Sequence, residues 1–197
     1  VDDGCEYCFM EVSSHSVCER RIAGLHFVGG IFTNLTLDHL DYHKTMENYC
    51  DAKKGFFDTL PATGFAVANI DDERGEYILS TTKAHTYTLS LKKKADFNER
   101  FESKLIGEFN AYNLLGVWSA CLLLGFDMVK VNKILENIEP PAGRFQPFLS
   151  KNKVLVIVDY AHTPDALDNV FRATRLSFPE SKIISVDFSE EAGKELQ

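Results

Sequence analysis

The chain has 197 residues, of which 45% are hydrophobic, 12% aromatic and 25% charged. These are the proportions of a globular protein able to bury a sizeable core, and they exclude a disordered, fibrous or mucin-like chain. With 21 Lys and Arg against 29 Asp and Glu the net charge is -8, which argues against general binding to a nucleic-acid backbone, because that needs clustered cations.

Five cysteines, Cys5, Cys8, Cys18, Cys50 and Cys121, are odd in number and irregularly spaced. That fits a reducing, cytoplasmic setting better than a secreted disulfide scaffold. The longest apolar run, from Val117 to Phe126, falls short of the roughly 20 residues that cross a bilayer, so no membrane insertion is expected.

In chain order, Tyr7 to Val12 and Gly30 to Leu35 read as buried strands. From Thr45 to Leu60 the apolar positions Met46, Tyr49, Phe56, Phe57 and Leu60 recur at helical spacing with charges between them, the pattern of an amphipathic helix. Gly64 to Ile70, ended by Asp71 and Asp72, is a third strand, and Thr86 to Leu91 a fourth. Asn110 to Leu124 is an apolar helix stopped by Gly125, and Asp127 to Asn137 a second helix. Pro140-Pro141-Ala142-Gly143 is the clearest linker signal, so a boundary is expected there, between residues 1–141 and 142–197. Beyond it, Val154 to Val158 predicts a strand, Thr163 to Phe178 a helix with Pro164 at its first position, and Ile183 to Val186 another strand. Strands alternating with helices define an α/β fold with a mostly parallel sheet, followed by the start of a Rossmann-like domain.

Three polar clusters sit at predicted strand ends, where open α/β sheets bind ligands. In Thr33 to His43, two His and two Asp fall within six residues, and His39 and His43 are spaced to share a helix face. Zinc is the weaker reading, because the Glu of H-E-x-x-H is absent. Glu11, in Met10-Glu11-Val12-Ser13-Ser14-His15, is a lone carboxylate, and one or two of these suffice for a nucleotide-bound Mg²⁺. Asp159 precedes a helix, where a carboxylate can accept ribose hydroxyls or simply cap the turn.

Taken together, these strings and their order resemble the Mur ligase family: Met10 to His15, Phe32 to Thr36, Asp38 to His43, Asp51-Ala52-Lys53, Gly107 to Leu115, Gly143-Arg144-Phe145 and Asp159 to Asp165. The likeness runs from about residue 4 to residue 186 and is greatest for the branch that adds the third residue of the muramoyl peptide. It implies a central ATP-binding ligase domain followed by part of a C-terminal domain. It also implies ATP-dependent addition of meso-diaminopimelate, or L-lysine, to UDP-N-acetylmuramoyl-L-alanyl-D-glutamate through an acyl phosphate. By the family pattern, Glu11, His39 and Lys53 would be the catalytic and Mg²⁺-holding set, with Lys53 carbamylated by CO₂. Ser13 and Arg21 would contact the muramoyl peptide. Asn110 and Asn113 would lie on the adenine side, Arg144 beside the phosphates, Asp159 on the ribose and His162 in the nucleotide pocket. No G-x-x-G-K-[ST] segment occurs in the chain. The resemblance places that loop before residue 1, so the chain reads as a fragment that should be inactive by itself. The alternatives are a related ligase of the folylpolyglutamate or cyanophycin type and, further off, a zinc hydrolase.

Overall fold

The computed structural model describes residues 4–186. Contacts divide the chain into two compact units, Val1–Asn98 and Glu99–Gln197.

The first unit is built on a three-stranded parallel sheet of β1 (Gly29–Phe32), β2 (Phe65–Asn69) and β3 (His85–Leu89), with β2 in the middle. Ile31 pairs with Val67, and Val67 with Tyr87. Ala66, Val67 and Ala68 are fully buried, as expected of a central parallel strand covered by helices. Four helices accompany the sheet in this unit, α1 (Ser14–Cys18), α2 (Leu40–His43), α3 (Met46–Asp58) and α4 (Gly75–Leu79), and α5 (Glu108–Leu123) opens the helical part of the second.

Thr45 caps α3, its hydroxyl accepting the Asn48 N–H at 3.1 Å, and satisfies one of the helix's orphan donors. Phe56 and Phe57 of α3 then meet Phe32, Ala66 and Ala68 of the sheet, with Cys50, Leu60, Ile78 and Ala84 completing the core. Gly75 opens α4 hard against the end of β2. A Cβ there would collide with the Asn69 carbonyl oxygen.

In the second unit α5 is followed by α6 (Met128–Asn137), whose N-cap Asp127 accepts the N–H groups of Val129 and Lys130. Leu114, Val131 and Leu135 are the buried centre of this helix pair. Gly125, at φ 77°, closes α5. Its N–H donates to the Leu122 carbonyl at 3.0 Å and that of Phe126 to Cys121 at 3.0 Å, which is the Schellman arrangement that a left-handed residue permits. β4 (Gln146–Leu149) pairs antiparallel with β5 (Leu155–Val158), and α7 (Pro164–Ser177) follows, capped by Thr163 with Pro164 at its start.

Two expected strands do not form. Residues 7–12 and 183–186 carry no ladder. Tyr7, Phe9, Met10, Ile184 and Val186 stay exposed, at 72% for Phe9 and 75% for Ile184. An apolar run becomes a strand only where a neighbour satisfies its backbone groups, and no described strand pairs with either segment. The expected β-α-β unit is therefore, among the described residues, an antiparallel pair followed by a helix.

Candidate active site

The chain leaving β1 is gripped by the end of β2. Asn69 Nδ2 donates to the Thr33 carbonyl at 2.9 Å, and Asp72 Oδ2 accepts the Leu35 N–H at 2.6 Å. Three residues further on, Asp38 folds back to accept the His39 N–H at 2.7 Å, with its other oxygen 3.4 Å from His39 Nε2. His39 itself sits in the left-handed region at φ 55°, ψ 23°, a conformation that costs a non-glycine residue about 1 kcal/mol and persists where its surroundings over-determine it.

Those surroundings come from three helices. α1 presents His15, whose ring meets His39 edge-on at 4.9 Å between centroids. α2 presents His43, buried and bonded through Nε2 to Ser14 Oγ at 2.8 Å. Burial, reinforced by His15 and His39, holds the His43 pKa below its ordinary 6.5. α3 presents Tyr49, which stacks on His43 at 5.0 Å and meets His39 nearly perpendicular at 5.8 Å. Burial, together with Asp38, pushes the Tyr49 phenol up to about 12, so it stays neutral. One helical turn further along α3, Lys53 places Nζ 5.2 Å from the centroid of the same ring.

Burial lowers the Lys53 pKa from the ordinary lysine value of 10.5, against the opposing pull of Glu11, Asp38 and Asp72. Desolvation penalises the ammonium more than these three carboxylates favour it. The result is an amine and an imidazole against one tyrosine ring, with Glu11, Asp38 and Asp72 near enough to act on the amine by charge. Glu11 is exposed and follows an irregular segment instead of the expected strand. Among the described residues, no group of three His, Cys, Asp or Glu side chains is close enough to hold a metal by itself. His43, the second histidine of the zinc reading, is turned to Ser14.

Ser13 caps α1, its hydroxyl accepting the Ser16 N–H at 3.1 Å. Arg21 is exposed and ion-paired with Glu19. The adjacent Lys54 has a different set of partners. It is buried, bonded to Asp58 at 2.8 Å and to Thr81, and lies 5.6 Å over the Tyr77 ring.

The nucleotide-side candidates lie in the second unit. Asn110 Nδ2 donates to the Ile106 carbonyl at 2.7 Å, and Asn113 Nδ2 reaches Asn110 Oδ1 at 3.3 Å. The Arg144 guanidinium lies 5.5 Å over the Tyr160 ring. Asp159 accepts the N–H groups of Phe145 and Ala161, each at 2.7 Å, one on each oxygen, and so acts as the turn cap. Each oxygen retains a second lone pair for a ligand. His162 Nδ1 lies 3.0 Å from the Tyr160 carbonyl. Asp159 and His162 line an open groove of about 980 Å³ with Leu155, Ile157 and Phe171.

Residue motifs alone do not single out Asn69, Asp72 or Tyr49 as part of the site, and they include His15 only as the last residue of the Met10 to His15 string. The spacing of Tyr49 and Lys53, four apart on one helix, is the available signal for the tyrosine.

Two family models match the chain, described as the Mur ligase middle domain over residues 1–101 and the Mur ligase glutamate ligase domain over 143–194. The chain belongs to the Mur ligase family. It is 49% identical over 203 residues to the UDP-N-acetylmuramoyl-L-alanyl-D-glutamate–2,6-diaminopimelate ligase of Cytophaga hutchinsonii, covering 94% of this chain and 42% of that one. It is 52% identical over 190 residues to the ligase of the same name from Phocaeicola vulgatus, covering 88% and 39%. A solved structure of a diaminopimelate ligase of that name superposes with a TM-score of 0.69 at 29% identity, over 83% of this chain and 39% of that one. The chain thus spans about two-fifths of the length of these relatives.

Proposed function

We propose that the chain is part of an ATP-dependent amide ligase of cell-wall peptidoglycan synthesis, which adds meso-diaminopimelate to UDP-N-acetylmuramoyl-L-alanyl-D-glutamate. L-Lysine is the alternative amine. The observation that carries this reading is near-50% identity to two diaminopimelate ligases over 88–94% of the chain. The domain boundary is proposed between 141 and 142, with a central ligase domain before it and a C-terminal domain after it. The setting is proposed as cytoplasmic, and no helix among the described residues is long and apolar enough to cross a membrane.

The chemistry follows from a poor leaving group. A carboxylate cannot expel oxide, but a carboxylate oxygen that attacks the γ-phosphorus of ATP, breaking the bond to ADP, becomes an acyl phosphate. The amine then attacks the carbonyl carbon, the C–N bond forms, phosphate leaves and the amine loses a proton. Two anions must meet, so charge neutralisation and alignment supply most of the rate.

The residues fit that task in kind. Glu11 offers a hard oxygen donor and His39 an imidazole. The half-buried amine of Lys53, with its depressed basicity, is suited to add to CO₂, forming a C–N bond, releasing a proton and exchanging a positive charge for a carbamate with two oxygens. Mg²⁺ held by Glu11, His39 and the Lys53 carbamate would supply neutralisation of the transferring phosphoryl group. Arg21 and Ser13 would hold the muramoyl peptide, with Arg21 released from Glu19 to pair with a substrate anion. Asn110 and Asn113 would bind adenine, Asp159 the ribose and Arg144 the phosphates, with His162 lining the pocket.

The test is an amino-acid screen of the intact protein with ATP, Mg²⁺ and the muramoyl dipeptide, read as phosphate release. Release that requires both the dipeptide and diaminopimelate is the expected result. Release with lysine alone moves the specificity. Release with a folate or a polypeptide acceptor would put the chain with the folylpolyglutamate or cyanophycin ligases, and hydrolysis without ATP would overturn the reading.

A further inference from the structure

Phe145 meets all three groups proposed to hold the nucleotide and has no assigned role of its own. Arg144 directly precedes it. Its N–H donates to Asp159 Oδ2 at 2.7 Å, and its ring packs on that of Phe109, the residue before Asn110, at 5.9 Å between centroids. Phe145 is 2% exposed and stands in the left-handed region at φ 45°, a conformation that a bulky residue keeps only where its surroundings over-determine it.

Those surroundings lie on both sides of it. The turn before it is closed by the Arg144 N–H on the Pro141 carbonyl at 3.1 Å and by the Gly143 N–H on Gln146 Oε1 at 3.0 Å. Gln146 pairs with Val158 in the β4–β5 ladder, which brings Phe145 and Asp159 together just beyond the last pair. The second Asp159 oxygen holds the Ala161 N–H, and the Arg144 guanidinium lies over the ring of Tyr160 between them in sequence. Toward α5, Gly107 at φ 100° leaves the space that the Phe109 ring fills, since a Cβ there would stand 2.6 Å from Phe109 Cε1.

We propose that Phe145 is a positioning residue of the nucleotide site, whose backbone fixes Arg144 against Asp159 and whose ring fixes the opening of α5, with Asn110, against both. The inference rests on the nucleotide roles proposed for Asn110, Arg144 and Asp159 for its catalytic consequence, and on geometry alone for the contacts. Being buried, Phe145 acts through the residues that would meet the nucleotide. A packed pair of rings holds its geometry beyond what burial of area supplies, and small displacements of groups that hold a reactant cost binding and rate steeply.

Phe145→Leu and Phe109→Leu remove the ring pair from either side in the intact protein. Hydrogen exchange without nucleotide, read by mass spectrometry, follows the contact without requiring activity. Each variant should speed exchange over residues 110–115, at the opening of α5, about three- to tenfold and leave residues 128–137 of α6 unchanged. In ligase turnover each should raise the ATP KM about fivefold or more, with the muramoyl-dipeptide KM changed less than about twofold. The double variant should exceed the larger single effect by less than about twofold, because the second change removes a contact already lost. Val131→Ala, which truncates the α5–α6 centre, should lower the unfolding midpoint and leave the ATP KM unchanged, and so separates positioning from lost stability. Should Phe145→Leu not melt cooperatively, Phe145→Met, whose flexible thioether fills the space without a ring, carries the same predictions. Unchanged exchange over residues 110–115, a rise shared equally by both KM values, or additive effects in the double variant overturns the proposal. If the native protein does not turn over the muramoyl dipeptide, the ligase reading fails while hydrogen exchange still decides the contact.

Discussion

Asp72 Oδ2 accepts the backbone N–H of Leu35 at 2.6 Å, across 37 residues of sequence. This charge-assisted bond ties the end of one parallel strand to the loop that delivers His39, and Asp72 Oδ1 also accepts the Arg74 N–H at 2.8 Å. Asp72→Ala orphans both donors and should lower stability by about 1–3 kcal/mol, read as the midpoint of urea unfolding. Asp72→Asn keeps one acceptor oxygen and should lose less. Equal stability in all three proteins would mean that the loop is held by other bonds.

The Ser14–His43 pair carries a pH dependence. The His43 pKa is lowered from 6.5 by burial and by its neighbours His15 and His39. In the window below 6.5 the unfolded chain therefore binds the proton that the folded chain refuses, and stability rises with pH. The stabilisation is full above pH 6.5 and is lost as pH falls through the folded value. The unfolding midpoint should drop between pH 7.5 and pH 5, and the drop should shrink in His43→Gln. A His43→Gln protein with the same pH slope as the native one would assign the effect to another group.

Cysteine reactivity separates along burial. Cys50 is buried and Cys121 half-buried, and burial pushes both thiols up from their ordinary value, whereas Cys5, Cys8 and Cys18 are exposed. The thiolate is the nucleophile. Iodoacetamide at pH 7.5 should therefore modify the exposed three first, with Cys50 labelled at the rate of unfolding. Raising the pH should speed Cys121 by enlarging its thiolate fraction. Peptide mapping over a time course distinguishes the two classes.

Much of this architecture was legible because its signals are local. Thr45, Asp127 and Thr163 announce helix starts, Gly125 a stop, and the run from Phe65 to Asn69 a covered strand. What failed was what depends on a partner. Residues 7–12 and 183–186 have strand composition and no ladder. β4 went unread because Pro147 interrupts its pattern, and proline is tolerated there only on an edge. In the site, resemblance named Glu11, His39 and Lys53 one by one. The ring that joins two of them looked like one more apolar position on α3. Its place in the site rests on contacts with His43 of α2 and with His39 in the loop after β1, which no periodicity within α3 encodes.

The most direct measurement is phosphate release by the intact protein with ATP, Mg²⁺, muramoyl dipeptide and diaminopimelate, comparing Lys53→Ala with the native lysine in CO₂-depleted and bicarbonate-supplied buffer. The account predicts native activity that rises with bicarbonate, and a Lys53→Ala protein slower by about 10²-fold or more with no response to bicarbonate. Turnover by Lys53→Ala at the native rate would contradict it.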